Sequence, residues 1–311
     1  CIICYRQQSC QAPSNLNFMI SFTDDIDLSS IVYLNERYVP LSEAKISPLD
    51  RGFLFADGVY EVIPVYSGSS FCFEMHYNRL KISLESIKLT IDLNQEKLFH
   101  IINQLIIKNP GKHQIIYLQI TRGVANRNHA FPVHASPTIF AMSSPLIRPS
   151  LESRNNGITA ITTDDERWGR CDIKSISLLA NVLARQKANE EHTNEAILIK
   201  DDKLQEGAAS SVWVVINNTV SIPRKGQNIL EGVRIKIIES ICGKLNINFS
   251  RRDIFYEEMI KSDEVFLTSA TKEVLAITMI DRQKIGNKTY SNKPGPIFKK
   301  IQQEYDKLIN N

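Results

Sequence analysis

Arg167-Trp-Gly-Arg-Cys-Asp-Ile-Lys-Ser175 runs into Ile176, Leu179, Ala180 and Leu183, whose spacing predicts an amphipathic helix starting at Ser175 or Ser177. Lys174 therefore stands where loop passes into helix. The positive end of a helix dipole disfavours an ammonium nearby, and partial burial acts the same way. A free amine at neutral pH is what Schiff-base chemistry needs. Taken alone, the segment reads more simply as a solvated lysine in a capping loop.

On the C-terminal side of this stretch, Ala196–Lys200 and Val212–Ile216 read as strands, and Val233, Ile237, Ile238 and Ile241 mark a helix. Glu264–Thr268 reads as a strand, and Ile297, Ile301 and Leu308 as a closing helix. On the N-terminal side, Ile158–Thr162 is a strand and Gln114–Thr121 another. Leu80, Leu84 and Ile87 recur at helical spacing, as do Leu98, Ile101, Ile102 and Leu105. Ile31–Leu34 and Arg37–Val39 form a hairpin about Asn35-Glu36. Val59–Ile63 and Ser70–Phe73 form a second about Ser67-Gly68, and Pro64 makes that strand bulged or an edge. Helices and strands mix without regular alternation, which predicts an α+β fold.

The length of 311 residues predicts two domains. Ser143 to Gly157 is rich in turn formers and reads as the linker, giving domains of 31–148 and 149–311. Cys1–Ser30 reads as an N-terminal extension, disordered or not native, with Met19 a candidate start. The composition, 43% apolar and 23% charged, excludes a disordered chain and a disulfide-stapled miniprotein. No apolar run approaches the ~20 residues of a membrane helix. A net charge of +3 without a Lys/Arg run argues against a nucleic-acid partner. Cys1, Cys4, Cys10, Cys72, Cys171 and Cys242 read as reduced thiols of an intracellular protein; Cys1 and Cys4 have metal-like spacing but no second pair.

Other segments could carry chemistry. Glu206 is followed by Gly-Ala-Ala-Ser-Ser211, small residues that let a backbone approach a ligand. Arg127-Asn-His129 offers a carboxylate fork and a second donor. Arg79, at helical spacing from His76, suits a phosphate clamp. Asp57-Gly58 turns into a strand on which Tyr60 and Glu61 face opposite ways. Each of these, taken alone, reads equally well as a turn, a surface loop or an exposed charge.

Together and in this order they resemble a known family. Asp50-Arg-Gly-Phe-Leu-Phe-Ala-Asp-Gly-Val-Tyr-Glu61, His76-Tyr-Asn-Arg-Leu80, Thr121-Arg-Gly-Val-Ala-Asn-Arg-Asn-His-Ala-Phe-Pro132 and Arg167 to Ser175 are similar to the motifs of the class IV, fold-type IV aminotransferases, which use pyridoxal 5′-phosphate. Asn194-Glu-Ala-Ile197, Glu206-Gly207 and Phe266-Leu-Thr-Ser269 extend the match. Arg127-x-His129 points to the D-amino-acid branch.

The resemblance implies a small α/β N-terminal domain and a larger C-terminal domain with a β-barrel-like core. It makes Lys174 the Schiff-base lysine and proton shuttle, with Glu206 facing the pyridine nitrogen. Arg79 would hold the phosphate, aided by backbone amides at Gly232, Val233, Arg234 and near Ala270, and Leu230 would pack on the ring. Tyr60, Arg127 and His129 would trap the substrate carboxylate, the last two from the neighbouring subunit of a homodimer. Glu61 and Arg167 would support the cofactor's contacts from behind. The reaction implied is ping-pong transamination between D-amino acids and 2-oxo acids, such as D-alanine and 2-oxoglutarate, in the cytoplasm. Aminodeoxychorismate lyase and branched-chain L-amino-acid aminotransferase are the alternatives. Ala208, Ala209, Arg234 and Ala270 stand where the family often has Ser or Thr, so hydroxyl contacts are expected to be lost.

Overall fold

The computed structural model describes residues 26–286 and 292–310. A first sheet comprises β1 (Ile31–Leu34), β2 (Arg37–Pro40), β3 (Gly58–Tyr66), β4 (Ser69–Ser70), β5 (His113–Thr121) and β6 (Thr138–Pro145), in the order β2-β1-β6-β5-β3-β4. All its pairings are antiparallel. The β1–β2 turn places Asn35 and Glu36 at φ 43° and 68°, as a two-residue hairpin requires. Along β5, Ile116, Leu118 and Ile120 point inward at alternate positions. They pack in one cluster with residues of α2 (Phe73–Ser86) and α3 (Gln95–Lys108), which follow the short α1 (Arg51–Phe55). β3 lies so close to β5 that a Cβ on Gly58 would come within 2.6 Å of the Ile120 carbonyl oxygen.

The second sheet comprises β7 (Ile158–Asp164), β8 (Glu195–Lys200), β9 (Lys203–Gly207), β10 (Ser211–Ile216), β11 (Thr219–Ile222), β12 (Asn248–Arg251), β13 (Glu264–Ser269), β14 (Glu273–Ile280) and β15 (Gln283–Lys284). Its order is β12-β11-β10-β13-β14-β7-β8-β9, with β15 on β14. A bridge between Gly207 and Ser210 joins the end of β9 to the approach of β10, so the strands from β10 round to β9 come back on themselves as a barrel-like core. Both faces are covered, and the strands read as continuous apolar runs for that reason. Val212, Val214, Val265 and Leu267 fill one side, whereas Trp213, Val215 and Phe266 face the helices on the other.

Five helices accompany this sheet: α4 (Leu151–Asn156), α5 (Leu179–Glu190), α6 (Val233–Lys244), α7 (Tyr256–Ile260) and α8 (Pro296–Asn310). α8 buries Ile297, Phe298, Ile301, Tyr305 and Ile309. Each such side chain contributes on the order of 1.5–3 kcal/mol. Tyr66 from β3 joins the same cluster, and the ring of Phe71 meets that of Tyr305 at 5.9 Å, so the two sheets share a core. None of the described helices is long and apolar enough to cross a membrane.

Several elements differ from the sequence reading. α5 starts at Leu179, not at Ser175 or Ser177. The backbone of Ser175 bridges to Val59 of β3, so it cannot also open a helix. Leu179, Val182 and Leu183 face outward at 72%, 58% and 55% exposure, and Ala184 and Ala188 make the buried side. Ser143–Pro145 completes β6, because its backbone pairs with Gln114–Ile116 whatever its turn propensity. Residues 151–156 are helical. Phe73 opens α2 and is not in a strand. Pro64 lies within β3 opposite Ile115, and β4 pairs only with Val65 and Tyr66, so β3 is an edge at the proline. Residues 1–25 of the expected extension, with Cys1, Cys4 and Cys10, lie outside the described residues. Leu28 and Ser30 are tied to the fold, their carbonyls accepting from Ser42 and Leu41 N–H at 3.1 and 2.9 Å.

Candidate active site

A cavity of about 250 Å³ opens between the two sheets. β3 contributes Tyr60 and Val62 to its lining, and Glu61, one residue between them, points away into the protein. There Glu61 is bound by two neighbours on α2: Arg79 at 2.7 and 2.8 Å, and His76 Nδ1 at 2.7 Å. Burial opposes its charge, but the Arg79 guanidinium and then His76 hold its carboxyl well below the usual range. Burial pushes the His76 imidazole down to about 4, so it donates from Nδ1 as a neutral ring. Its Nε2 is buried and has no partner among the described residues.

Lys174 lines the same cavity. Its segment is sewn to β3 by hydrogen bonds from Tyr60 N–H to the Lys174 carbonyl, 3.0 Å, and from Ile176 N–H to the Gly58 carbonyl, 3.1 Å. Lys174 N–H faces the Ser83 hydroxyl at 3.3 Å. The side chain turns back so that Nζ sits 4.0 Å from the Tyr60 ring centroid. The helix end expected beside Lys174 is five residues further on. What fixes the amine is the pairing with β3.

Glu206, at the end of β9, is 6% exposed. Arg167 donates Nη1 to its Oε1, and Leu230 N–H approaches the same oxygen at 3.3 Å. Arg167 is in turn gripped by Asp165 at 2.8 Å. Burial raises the Glu206 carboxyl and Arg167 opposes that rise. A Cβ on Gly207, the next residue, would fall 2.2 Å from Ser210 Oγ, so that side chain would have to move.

The start of α6 forms a cradle in the cavity lining. α6 begins there after Gly232, which has no side-chain cap. The N–H groups of Val233 and Arg234 have no acceptor among the described residues, as expected of a helix start. A Cβ on Gly232 would stand 2.8 Å from Ser211 Oγ and narrow the cradle. Arg79, Arg234, Ser211 and Thr271 also line the cavity.

Residues 58–280 match the family described as amino-transferase class IV. The chain belongs to the class IV aminotransferases. It is 39% identical over 272 residues to the D-alanine aminotransferase of Bacillus licheniformis, covering 87% of this chain and 94% of that one. With the D-alanine aminotransferase of Staphylococcus haemolyticus it is 35% identical over 279 residues, 89% and 97% of the two chains. Among solved structures, the branched-chain amino acid aminotransferase of Escherichia coli superposes with a TM-score of 0.83 at 20% identity, covering 90% and 95%. The branched-chain aminotransferase of the archaeon Thermoproteus uzoniensis, with norvaline, gives 0.79 at 23%, covering 91% and 95%. These two establish the fold.

Class IV aminotransferases depend on pyridoxal 5′-phosphate, and this class IV aminotransferase has residues that fit it. An amine, a buried carboxylate, an apolar Leu230 and a cradle of unsatisfied N–H groups line one cavity. Of the residues singled out in the sequence, Tyr60, Arg79, Lys174, Glu206 and Arg167 meet here, with Leu230, Val233, Arg234 and Ala270. Arg127 and His129 do not. They are exposed on the β5–β6 connection, stacked about Phe55 at 5.4 and 5.2 Å. Ala208, Ala209, Arg234 and Ala270 line the cavity, as do the hydroxyl residues Ser210, Ser211, Ser269 and Thr271. Trp168, Asn181 and Ser177 also line it without having been singled out. Their closeness to Lys174 and to Arg167 along the chain is the only sequence signal that marks them.

Proposed function

We propose that the chain transfers amino groups between D-amino acids and 2-oxo acids, with D-alanine and 2-oxoglutarate as the representative pair. The observation that carries this reading is that Lys174, Glu206 and Arg79 line one cavity, in a chain 34–39% identical to several D-alanine aminotransferases. When bound, pyridoxal 5′-phosphate supplies an electron sink for the charge left on the substrate Cα. Lys174 Nζ would anchor the cofactor and would carry the substrate Cα proton. Glu206 holds a proton on the ring nitrogen, and Arg167 keeps that carboxylate aimed into the cavity. Arg79 and the α6 amides hold the phosphate, and Leu230 packs on the ring. Two half-reactions share one site, so the kinetics are ping-pong.

Tyr60 and, from the partner subunit, Arg127 and His129 bind the substrate carboxylate in this proposal. Two features support a homodimer. Arg127 and His129 are outside their own chain's cavity. Phe53, Leu179, Val182 and Leu183 are large apolar side chains at least half exposed. Cys72, Cys171 and Cys242 form no disulfide among the described residues, which favours a reducing compartment, and the cytoplasm is the one proposed. The test is purified protein given D-alanine with 2-oxoglutarate, L-leucine with 2-oxoglutarate, or aminodeoxychorismate. Pyruvate and D-glutamate from the first mixture are expected. Turnover only with L-leucine, or only of aminodeoxychorismate, would replace the reading with a branched-chain aminotransferase or a lyase.

A further inference from the structure

Arg234 is the second residue of α6 and is 4% exposed. Its Nε donates to the Tyr305 hydroxyl at 2.9 Å, and its Nη2 approaches the Ala270 carbonyl at 3.4 Å. No Asp or Glu pairs with it among the described residues; its guanidinium lies 5.8 Å from the Phe71 ring centroid and near the Tyr66 phenol, both uncharged. A buried guanidinium without an anion is costly, so such a group marks a place where negative charge arrives. Tyr305 does not supply it, because burial raises its phenol and keeps it neutral.

The other cation of the cradle is already neutralised. Arg79 gives two of its N–H groups to Glu61, and Nη1 approaches the Glu231 carbonyl at 3.3 Å. A phosphate monoester brings about 1.5–2 negative charges at neutral pH. The Arg79–Glu61 pair presents almost no net charge to it, and a neutral His76 adds none. We infer that the Arg234 side chain is the cation that balances the cofactor phosphate in this chain, in addition to the backbone amide of the same residue. Where a small hydroxyl residue would give one neutral hydrogen bond, Arg234 gives a charge-assisted one. The inference rests on the proposed cofactor site. The competing role is purely structural: a tie between α6, α8 and the β13–β14 turn through Tyr305 and Ala270.

Cofactor-free protein, titrated with pyridoxal 5′-phosphate and separately with pyridoxal, separates the two. Arg234→Met should weaken binding of the phosphorylated compound about ten- to a hundredfold and leave pyridoxal affinity unchanged. Arg234→Gln, which keeps an N–H at the Nε position for Tyr305 but no charge, should show the same selective loss and serves if the Met variant does not fold. Tyr305→Phe removes the tie and keeps the charge, so it should retain the wild-type preference. Inorganic phosphate should raise the melting temperature of the wild-type apoprotein and not that of Arg234→Gln. Equal weakening of both compounds, or an unchanged ratio in Arg234→Gln, overturns the inference alone. A wild-type protein that takes up no pyridoxal 5′-phosphate overturns the cofactor reading with it.

Discussion

Tyr60 holds Lys174 at both ends: its N–H donates to the Lys174 carbonyl at 3.0 Å, and its ring lies 4.0 Å from Lys174 Nζ. The backbone bond survives any substitution of the side chain, so the two contributions separate. Tyr60→Phe should load cofactor normally and raise KM for the amino acid about tenfold, the cost of one hydrogen bond to a charged group. Tyr60→Ala should also shift the absorbance of the bound cofactor, because the ring beneath the amine is gone. An unchanged KM in Tyr60→Phe would remove the phenol from the carboxylate site.

Glu206→Gln preserves an oxygen for Arg167 Nη1 and Leu230 N–H, so the fold should be retained by circular dichroism. The variant cannot keep the ring nitrogen protonated. Turnover should fall ~10²–10⁴-fold, the range typical of proton-holding groups. Wild-type turnover would contradict the assignment.

Arg51 is buried, pairs with Asp57 at 2.8 Å, and donates to the carbonyls of Asn128, His129 and Ala130. It therefore fixes the loop that carries Arg127 and His129. Arg51→Lys loses the fork and should raise KM for the amino acid several-fold (about 1 kcal/mol) with cofactor uptake unchanged. Parallel losses of both would point to general misfolding.

The shared site can be tested by complementation. Lys174→Ala and Arg127→Ala dimers, each inactive or nearly so, are dissociated and re-formed together. Mixed dimers should regain activity, because one of their two sites combines a native Lys174 with a native Arg127. Proven heterodimers with no recovery would place the carboxylate site within one chain.

His76 predicts a pH dependence of stability. Its imidazole is pushed down to about 4 by burial, against about 6.5 in the unfolded chain. Between those values the unfolded state binds the extra proton, so stability should fall as pH falls from about 6.5 towards about 4. Glu61 acts in the same direction in a lower window: its native carboxyl lies below the unfolded value of about 4.3, so its contribution is lost at still lower pH. Melting temperatures of wild type and His76→Gln across pH 7 to 3 check this. The variant should be flatter above pH 4 and still fall below it.

Much of this protein follows from its sequence alone. Gln114–Thr121, rich in Ile and Tyr, reads as a strand, and the spacing from Leu98 to Leu105 as a helix with one apolar side. The motifs around Lys174, Glu206, Arg79 and Tyr60 likewise name the family, because each residue type has a chemical duty that tolerates little change. Tertiary structure decided the rest. Ser175 cannot open a helix because β3 takes its backbone, and Ser143–Pro145 extends a strand because β5 lies alongside. Both depend on a partner more than 25 positions away, which local propensity does not see. The same holds in the site. Glu61 neutralises Arg79 from 18 positions away, Arg234 is left without an acid, and Arg127 and His129 gather on Phe55 outside the cavity. Charge balance is a property of neighbours in space, and only the fold determines which charges are neighbours.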